Sequence, residues 1–423
     1  MRRPSLRRNA RRSAGAAEGA RSGPPRRTLA ALDAPYFGRL WASGGLLNLT
    51  RWMALFLGSF LVNDLTSSPL LVQLVGVVFF APMFLGGMVS GLISDHFDRR
   101  RTVLYQLSLL IPVSVVMGGI VIDGAIRTWM VYPFMFAVGL GNVLDITSRR
   151  ALVYDLVGDE RAANALALEA LSNSAGAMLG GVAGGAVINF VGIGEGYALM
   201  AGLYAVAFAL LLTVPSPPRS RASGGIGALR NLFSGFRTLR RNRTVISILG
   251  ITVLVNTFYF PFIPLVPVFA DRLEVNALLT GVLGSAAGIG MMVGAYTIAA
   301  RSPRRRGIIY VSGPVIAMSF LFVFAAVEWY PGALLALIFA GVGISGFSTL
   351  QSTLVMVAAG PELRGRALGL QSMAIGALPF GMLILGLVAQ AIGASTAVMI
   401  NTAIGVAMIV AWIKWRPEAR RFV

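Results

Sequence analysis

Long apolar stretches recur along this chain from Tyr36 to Ile413, and arginines gather in every second gap between them. Twelve stretches are read, near 37–63, 69–93, 103–122, 129–148, 164–190, 196–214, 245–269, 276–299, 307–327, 331–355, 366–391 and 395–413. Each approaches the ~20 residues that carry a helix across a bilayer. Lipid offers the backbone no hydrogen bonds, so such segments must satisfy their own N–H and C=O groups as helices. The expected fold is an all-α membrane protein of twelve transmembrane helices.

Charge between the stretches sets the orientation. Arginine-rich loops resist translocation and stay in the cytoplasm. The basic gaps hold Arg99, Arg100 and Arg101; Arg149, Arg150 and Arg161; the Arg219–Arg243 run; Arg301 and Arg304–Arg306; and Arg364 and Arg366. The other gaps carry only Arg127 and Arg272 beside Asp64, Asp123, Glu195, Asp271, Glu274 and Glu328. Nine arginines precede Asp33, and Lys414, Arg416, Arg420 and Arg421 close the chain. Both termini are therefore expected in the cytoplasm, which an even number of spans allows and eleven or thirteen would not.

Composition narrows the function. The net charge of +19 sits mostly in juxtamembrane loops, where anionic lipid rather than nucleic acid is the expected partner. Without cysteine there is no thiolate metal site or cysteine nucleophile, and with one histidine, His96, no His-based zinc site or Ser–His pair is expected. The only lysine, Lys414, follows no Gly-rich phosphate loop, so ATP hydrolysis is not expected. No acid–base–nucleophile set points to an enzyme, and neither metal nor cofactor is expected. Work on a solute would come from an ion gradient, with protons first in line, or from the solute's own gradient.

Residues 1–33 are rich in Arg, Ser and Ala without the apolar run of a cleaved signal. They read as a disordered basic tail at the anionic inner leaflet, with an organelle transit peptide as the other reading. The Arg-, Gly- and Ser-rich 216–244 segment divides a half over 34–215 from a half over 245–414, and 415–423 form a second tail. Within that linker, Ile226–Leu239 fits either an amphipathic helix lying on the membrane or a loose tether.

The halves echo each other. Arg99-Arg100-Arg101-Thr102-Val103-Leu104-Tyr105 reappears as Arg304-Arg305-Arg306-Gly307-Ile308-Ile309-Tyr310. Gly158, Glu160, Ala165, Leu166, Leu168 and Gly184 match Gly360, Glu362, Ala367, Leu368, Leu370 and Gly386 at one constant offset. A parallel duplication of two six-span halves is a transporter plan, with the substrate site near mid-membrane between them.

The loop between the second and third stretches reads Gly91-Leu92-Ile93-Ser94-Asp95-His96-Phe97-Asp98-Arg99-Arg100. It resembles the signature loop of the major facilitator superfamily, with His96 in place of the usual basic residue and Asp98 in place of the second Gly. A narrower likeness is to the bacterial branch that includes enterobactin and macrolide exporters. It rests on Leu40-Trp41, on Ser148-Arg149-Arg150-Ala151-Leu152-Val153-Tyr154-Asp155-Leu156-Val157, and on Ala163-Asn164-Ala165 running into Gly180-Gly181-Val182-Ala183-Gly184-Gly185. Thr50-Arg51 stands where relatives commonly carry a small residue and then an acid. The resemblance implies two pseudo-symmetric six-helix halves, alternating access, a cavity lined by spans one, four, seven and ten, and a latch at the signature loop. Latch candidates are Gly91, Asp95, Asp98, Arg99, Arg100, Arg149 and Arg364, against the plainer reading of a fixed surface salt bridge.

Arg51 is the sharpest single residue. A cation near mid-span costs about 3 kcal/mol or more, so it is expected to face a wet cavity with a partner. Asp145 and Glu169 are the candidate partners, for proton coupling or for structure; Asp145 also lies one helical turn from Arg149, a spacing that permits an intrahelical pair. Asn48, Trp52, Asn142, Asn256, Tyr259 and Gln351 join them as cavity candidates, with Tyr132, Ser345 and Ser348, and interhelical glue is the alternative for each. Gly180, Gly181, Gly184 and Gly185 form a small-residue face for close helix packing, and Pro261, Pro264 and Pro267 interrupt span seven as a kink or a gate. The expected function is proton-coupled efflux of an amphipathic drug-, siderophore- or lipid-like molecule by a monomer in the inner membrane. An importer, an uncoupled lipid flippase and a non-transporting scaffold or receptor are the alternatives.

Overall fold

The computed structural model describes residues 29–96, 98–216, 242–301, 305–360 and 363–420, and the side chains of all of these except 84–96, 159 and 163. Twelve long helices account for most of them. They are α1 (Phe37–Thr66), α2 (Pro69–His96), α3 (Arg99–Ile122), α4 (Thr128–Gly158), α5 (Glu160–Phe190) and α6 (Ile193–Leu212) in the first half. The second half has α7 (Arg243–Arg272), α8 (Ala277–Arg301), α9 (Arg306–Ala326), α10 (Tyr330–Ala359), α11 (Arg364–Ile392) and α12 (Ala394–Trp415). Eleven are long and apolar enough to cross a membrane, and the apolar Pro69–Met83 part of α2 is the shorter twelfth. The twelve alternating stretches read from the sequence are these helices. The basic tail over residues 1–28, most of the linker with its Ile226–Leu239 part, and the side chains of Gly91, Asp95 and His96 lie outside the described set.

Burial sorts the helices into inner and outer members. In α1, 67% of the apolar stretch is buried, against 28% in α12. Tyr105, Leu109, Val115 and Val116 of α3 and Ile400, Ile404 and Met408 of α12 stand exposed. So much exposed apolar surface fits lipid rather than water.

The duplication seen in sequence extends to backbone geometry. Gly158 closes α4 at φ 69°, ψ 172°, and its counterpart Gly360 closes α10 at φ 78°, ψ 167°. A side chain is strained in that region, so glycine at both places marks one turn used twice. The α5–α6 and α11–α12 turns repeat the device at Gly192 and Gly393.

Two boundaries depart from the sequence reading, and a third interruption falls where its prolines placed it. The gap expected over 149–163 is helical but for the turn at Gly158, so that α4 and α5 run almost end to end. At ~1.5 Å per residue, the 31 residues of α4 outrun a ~30 Å hydrocarbon core, so its charged end has the composition of a loop. Span eleven is broken between Ile375 and Leu378, because Pro379 has no N–H for the Ile375 carbonyl. Span seven breaks at its prolines: a 3-10 turn, Phe260–Leu265, separates Arg243–Phe258 from Val266–Arg272.

The glycine run of α5 has two working faces rather than one. A Cβ on Gly180 would lie 2.6 Å from Trp52 Cβ, and one on Gly184 would lie 2.8 Å from the Phe56 ring, so these residues seat α5 on α1 within the half. Gly181 and Gly185 instead meet the α8 backbone at Gly281 and Ala277, across the seam between halves. The second seam joins α2 to α11, where Gly386 packs on Gln73.

Candidate functional site

Arg51 lies midway along α1, and its guanidinium reaches two neighbouring helices. Nη1 donates to Asn173 Oδ1 of α5 at 3.2 Å, and Nη2 stands 4.0 Å from Asp145 Oδ2 of α4. Asp145 is held more tightly by Arg149, one turn along the same helix. Arg149 Nε donates to both carboxylate oxygens at 2.9 and 3.2 Å, and Nη2 lies 2.9 Å from Oδ1 but off line for a hydrogen bond. Arg149 Nη1 donates to the Leu40 carbonyl at 2.9 Å, tying α4 to the start of α1. Gly44 makes this possible, since a Cβ there would come within 3.2 Å of Nη1.

The sequence placed Arg149 in a basic cytoplasmic gap. It is 3% exposed, inside α4, and the reason is the unbroken helix through 149–157. The Asp145–Arg149 pair permitted by spacing is formed. Glu169, ten residues into α5, lies within electrostatic reach of Arg149, Asp145, Arg150 and Arg51, with its Oε1 buried and unpartnered. Three cations and two acids therefore share one region of the first half. A buried pair of this kind is a poor source of stability, but removing one member leaves an uncompensated charge.

Elsewhere the polar candidates divide. Asn48 donates to Ser172 Oγ at 3.3 Å within the same half. Tyr132 donates to the Leu71 carbonyl at 3.2 Å. In the second half, Gln351 Nε2 donates to Thr252 Oγ1 at 2.9 Å and Asn256 Nδ2 to the Thr252 carbonyl at 2.9 Å, while the Tyr259 hydroxyl is buried without a partner. These residues make a neutral network apart from the Arg51 cluster. Trp52 lines a cavity of about 40 Å³ at the seam, with Leu55, Phe56, Ser59, Gly181, Ile263, Val266 and Gly284 among its walls. Its polar atoms include Trp52 Nε1 and Ser59 Oγ, both buried and unpartnered.

The latch candidates are likewise dispersed. Asp98 accepts from the Arg101 N–H at 2.9 Å and so caps α3. Arg99 Nη1 pairs with Asp155 Oδ2 of α4 at 2.6 Å. Arg100 donates to the Leu211 and Leu212 carbonyls at 3.2 and 2.8 Å, bracing the C-terminus of α6. Arg364 is exposed at the start of α11. Asp155 lies inside the segment that carries the family resemblance, and no spacing in the sequence marks it as the partner of Arg99. Leu40-Trp41 holds the start of α1: Trp41 Nε1 donates to the Leu168 carbonyl at 2.9 Å.

Among the described residues, hydrogen bonds between the halves gather toward the end away from the chain termini. Asn63 Nδ2 donates to Asp271 Oδ2 at 2.5 Å, Ser68 Oγ to Gln390 Oε1 at 2.7 Å, and Gln73 Nε2 to the Pro261 carbonyl at 2.8 Å. Nearer mid-span, the Val182 N–H donates to Ser285 Oγ at 3.1 Å. In this state the halves are tied together at that end.

Comparison with known proteins bears out the family. The model for the Major Facilitator Superfamily matches residues 40–379, and the chain belongs to that superfamily. Among curated relatives, an enterobactin exporter, EntS, of Shigella boydii serotype 4 (strain Sb227) is 26% identical over 249 residues, 56% of either chain. EntS of Escherichia coli O1:K1 / APEC is 27% identical over 228 residues, 51% of either chain. The chain thus spans about half the length of the curated relatives it matches. Among solved structures, a bacterial homologue of the human lysosomal transporter Spinster, inward-facing and unoccupied, superimposes with TM-score 0.73 at 16% identity over 92% of this chain and 98% of that one. A D-xylose–proton symporter gives 0.68 at 16% identity over 91% and 98%. At such identities these structures speak for the fold alone: two six-helix halves of a multi-pass membrane protein.

Proposed function

We propose that the chain is a proton-coupled exporter of an amphipathic small molecule, working as a monomer by alternating access in a bacterial inner membrane. The observation that carries this reading is the Arg51–Asp145–Arg149 cluster, buried in the half that meets its partner through two glycine-lined seams. Keeping charge in lipid is costly, and the matched region of the other half packs without it. Burial disfavours the charged form of an acid and a cation favours it, so motion that changes the exposure of Asp145 or Glu169 changes their hold on a proton. The relatives named as enterobactin exporters support the efflux direction and a siderophore-like cargo. Aromatic and apolar walls around Trp52, with the Nε1–H and Ser59 hydroxyl as donors, suit an apolar cargo that carries hydrogen-bond acceptors.

By the charge rule both termini are cytoplasmic, which makes the tied end periplasmic. Asp95 and the arginines of the signature loop then lie toward the cytoplasmic face, where they act as the latch of the cycle; anionic lipid is the partner of the basic loops and tail. The energy source is the proton gradient, with no cofactor. The test uses everted membrane vesicles and iron-free enterobactin as the probe. Accumulation should rise at least tenfold when the vesicle interior is acidified, and the double variant D145N/E169Q should abolish that rise at unchanged expression. A variant that still concentrates the probe with the gradient contradicts the coupling.

A further inference from the structure

We infer that the first half holds one ordered water, at a site built by Arg51, Asp145, Gln106 and Asn142, which joins the Arg51–Asp145 pair and relays protons to Asp145. This deepens the coupling proposed above and rests on it only for its functional meaning. The four residues share the walls of a cavity of about 10 Å³, together with Leu47, Leu110, Val138 and Tyr204. One water needs ~10–15 Å³ and two to four polar partners. The Arg51–Asp145 separation of 4.0 Å is too long for a hydrogen bond and suits a bridging water.

Two polar atoms of these residues are unmet. Gln106 of α3 and Asn142 of α4 are 6% and 8% exposed, and Gln106 Oε1 and Asn142 Oδ1 are buried without a hydrogen-bond partner. Leaving such groups unmet is costly. A water there accepts from the Arg51 guanidinium and an amide N–H, and donates to Asp145 Oδ2 and an amide oxygen, which uses its four positions. Glycine at 141 lets Gln106 approach α4, since a Cβ there would lie 3.1 Å from Gln106 Cγ and Nε2.

The charged and titratable groups around the site are Arg51 of α1, Asp145 and Arg149 of α4, Glu169 of α5 and Tyr204 of α6; α3 contributes only the neutral Gln106. In the relay, the water gives one proton to Asp145 Oδ2 and recovers one from bulk solvent, so the carboxylate becomes a carboxylic acid at the expense of one solvent proton. Gln106 and Asn142 are positioning residues.

The test is pH-difference infrared spectroscopy of the full chain in liposomes, which needs no cargo. Wild type should show a water O–H band that moves in H2(18)O and changes together with a carboxyl band lost in Asp145→Asn. Gln106→Leu and Asn142→Leu should each remove the water band, with helicity and thermal unfolding showing that the variants are folded. Absence of the isotope-sensitive band in wild type overturns the site without reference to any variant. So does its persistence in both Leu variants. Should the site be a mere packing defect, the Leu variants gain stability and leave the carboxyl response untouched. Because no transported probe is used, failure here is distinguishable from failure of the proposed efflux.

Discussion

The two halves solve the same packing problem at mid-span with different chemistry. At the offset relating Gly158 to Gly360, Asp145 corresponds to Phe347 and Arg149 to Gln351. Phe347 stacks on Tyr310 with centroids 5.4 Å apart, and Gln351 reaches Thr252 by a neutral hydrogen bond. The first half instead buries an ion pair and, among the described residues, leaves Gln106 Oε1 and Asn142 Oδ1 without a hydrogen-bond partner. The second half demonstrates that the fold has no need of charge at this place. A buried pair seldom adds stability over a well-packed neutral one, which is why the proposed function places the coupling in the first half.

Breaking the pair should produce the largest effect. Arg149→Gln leaves Asp145 with only the long contact to Arg51, at a cost of about 3–5 kcal/mol, read as lost thermal stability in detergent. The double variant D145F/R149Q installs the second half's solution and should recover most of that stability while abolishing gradient-driven transport. A single variant as stable as wild type would undo the contrast between halves.

Next come the glycine faces. Gly180→Leu pushes α5 from α1, an overpacking worth about 1–3 kcal/mol, and should stop transport more than it harms insertion. Gly185→Leu acts across the seam and should shift the resting state instead, as read by cysteine accessibility in this cysteine-free chain. Identical behaviour of the two would deny the division of labour between faces.

A smaller effect is expected at the tied end. Asn63→Ala removes one hydrogen bond, worth about 1 kcal/mol, roughly a fivefold change in population. A cysteine placed at Ser59 should then react several-fold faster with an impermeant reagent added from the periplasmic side. The smallest effect belongs to Gln351→Leu, with about 1 kcal/mol lost and coupling intact, measured by thermal unfolding and vesicle accumulation.

Much of the architecture was legible because span length and arginine placement follow from the bilayer itself. The Gly158–Gly360 match marked the two halves as repeats, and the structure gives both glycines the same task, closing a helix at positive φ. Arg51 stood out for the cost of charge in lipid, and the Asp145–Arg149 pair followed from spacing. The interior position of Arg149 did not, because a helix running past the bilayer looks in sequence like a charged loop. Gln106 carried no signal at all: a glutamine in an apolar span reads as interhelical glue until its neighbours on α1, α4 and α6 are known. The Asn63–Asp271 bond joins residues far apart in the chain, and no periodicity connects them.

The central claim is that protonation inside the first half sets the state of the whole molecule. Spin labels on cysteines placed at Asp64 and Glu274, with their separation measured by pulsed electron resonance in liposomes across a pH series, test it most directly. The account predicts a separation that shifts as pH falls and stops responding in D145N/E169Q. A distribution unmoved by pH in wild type, or one that still responds in the double variant, contradicts it.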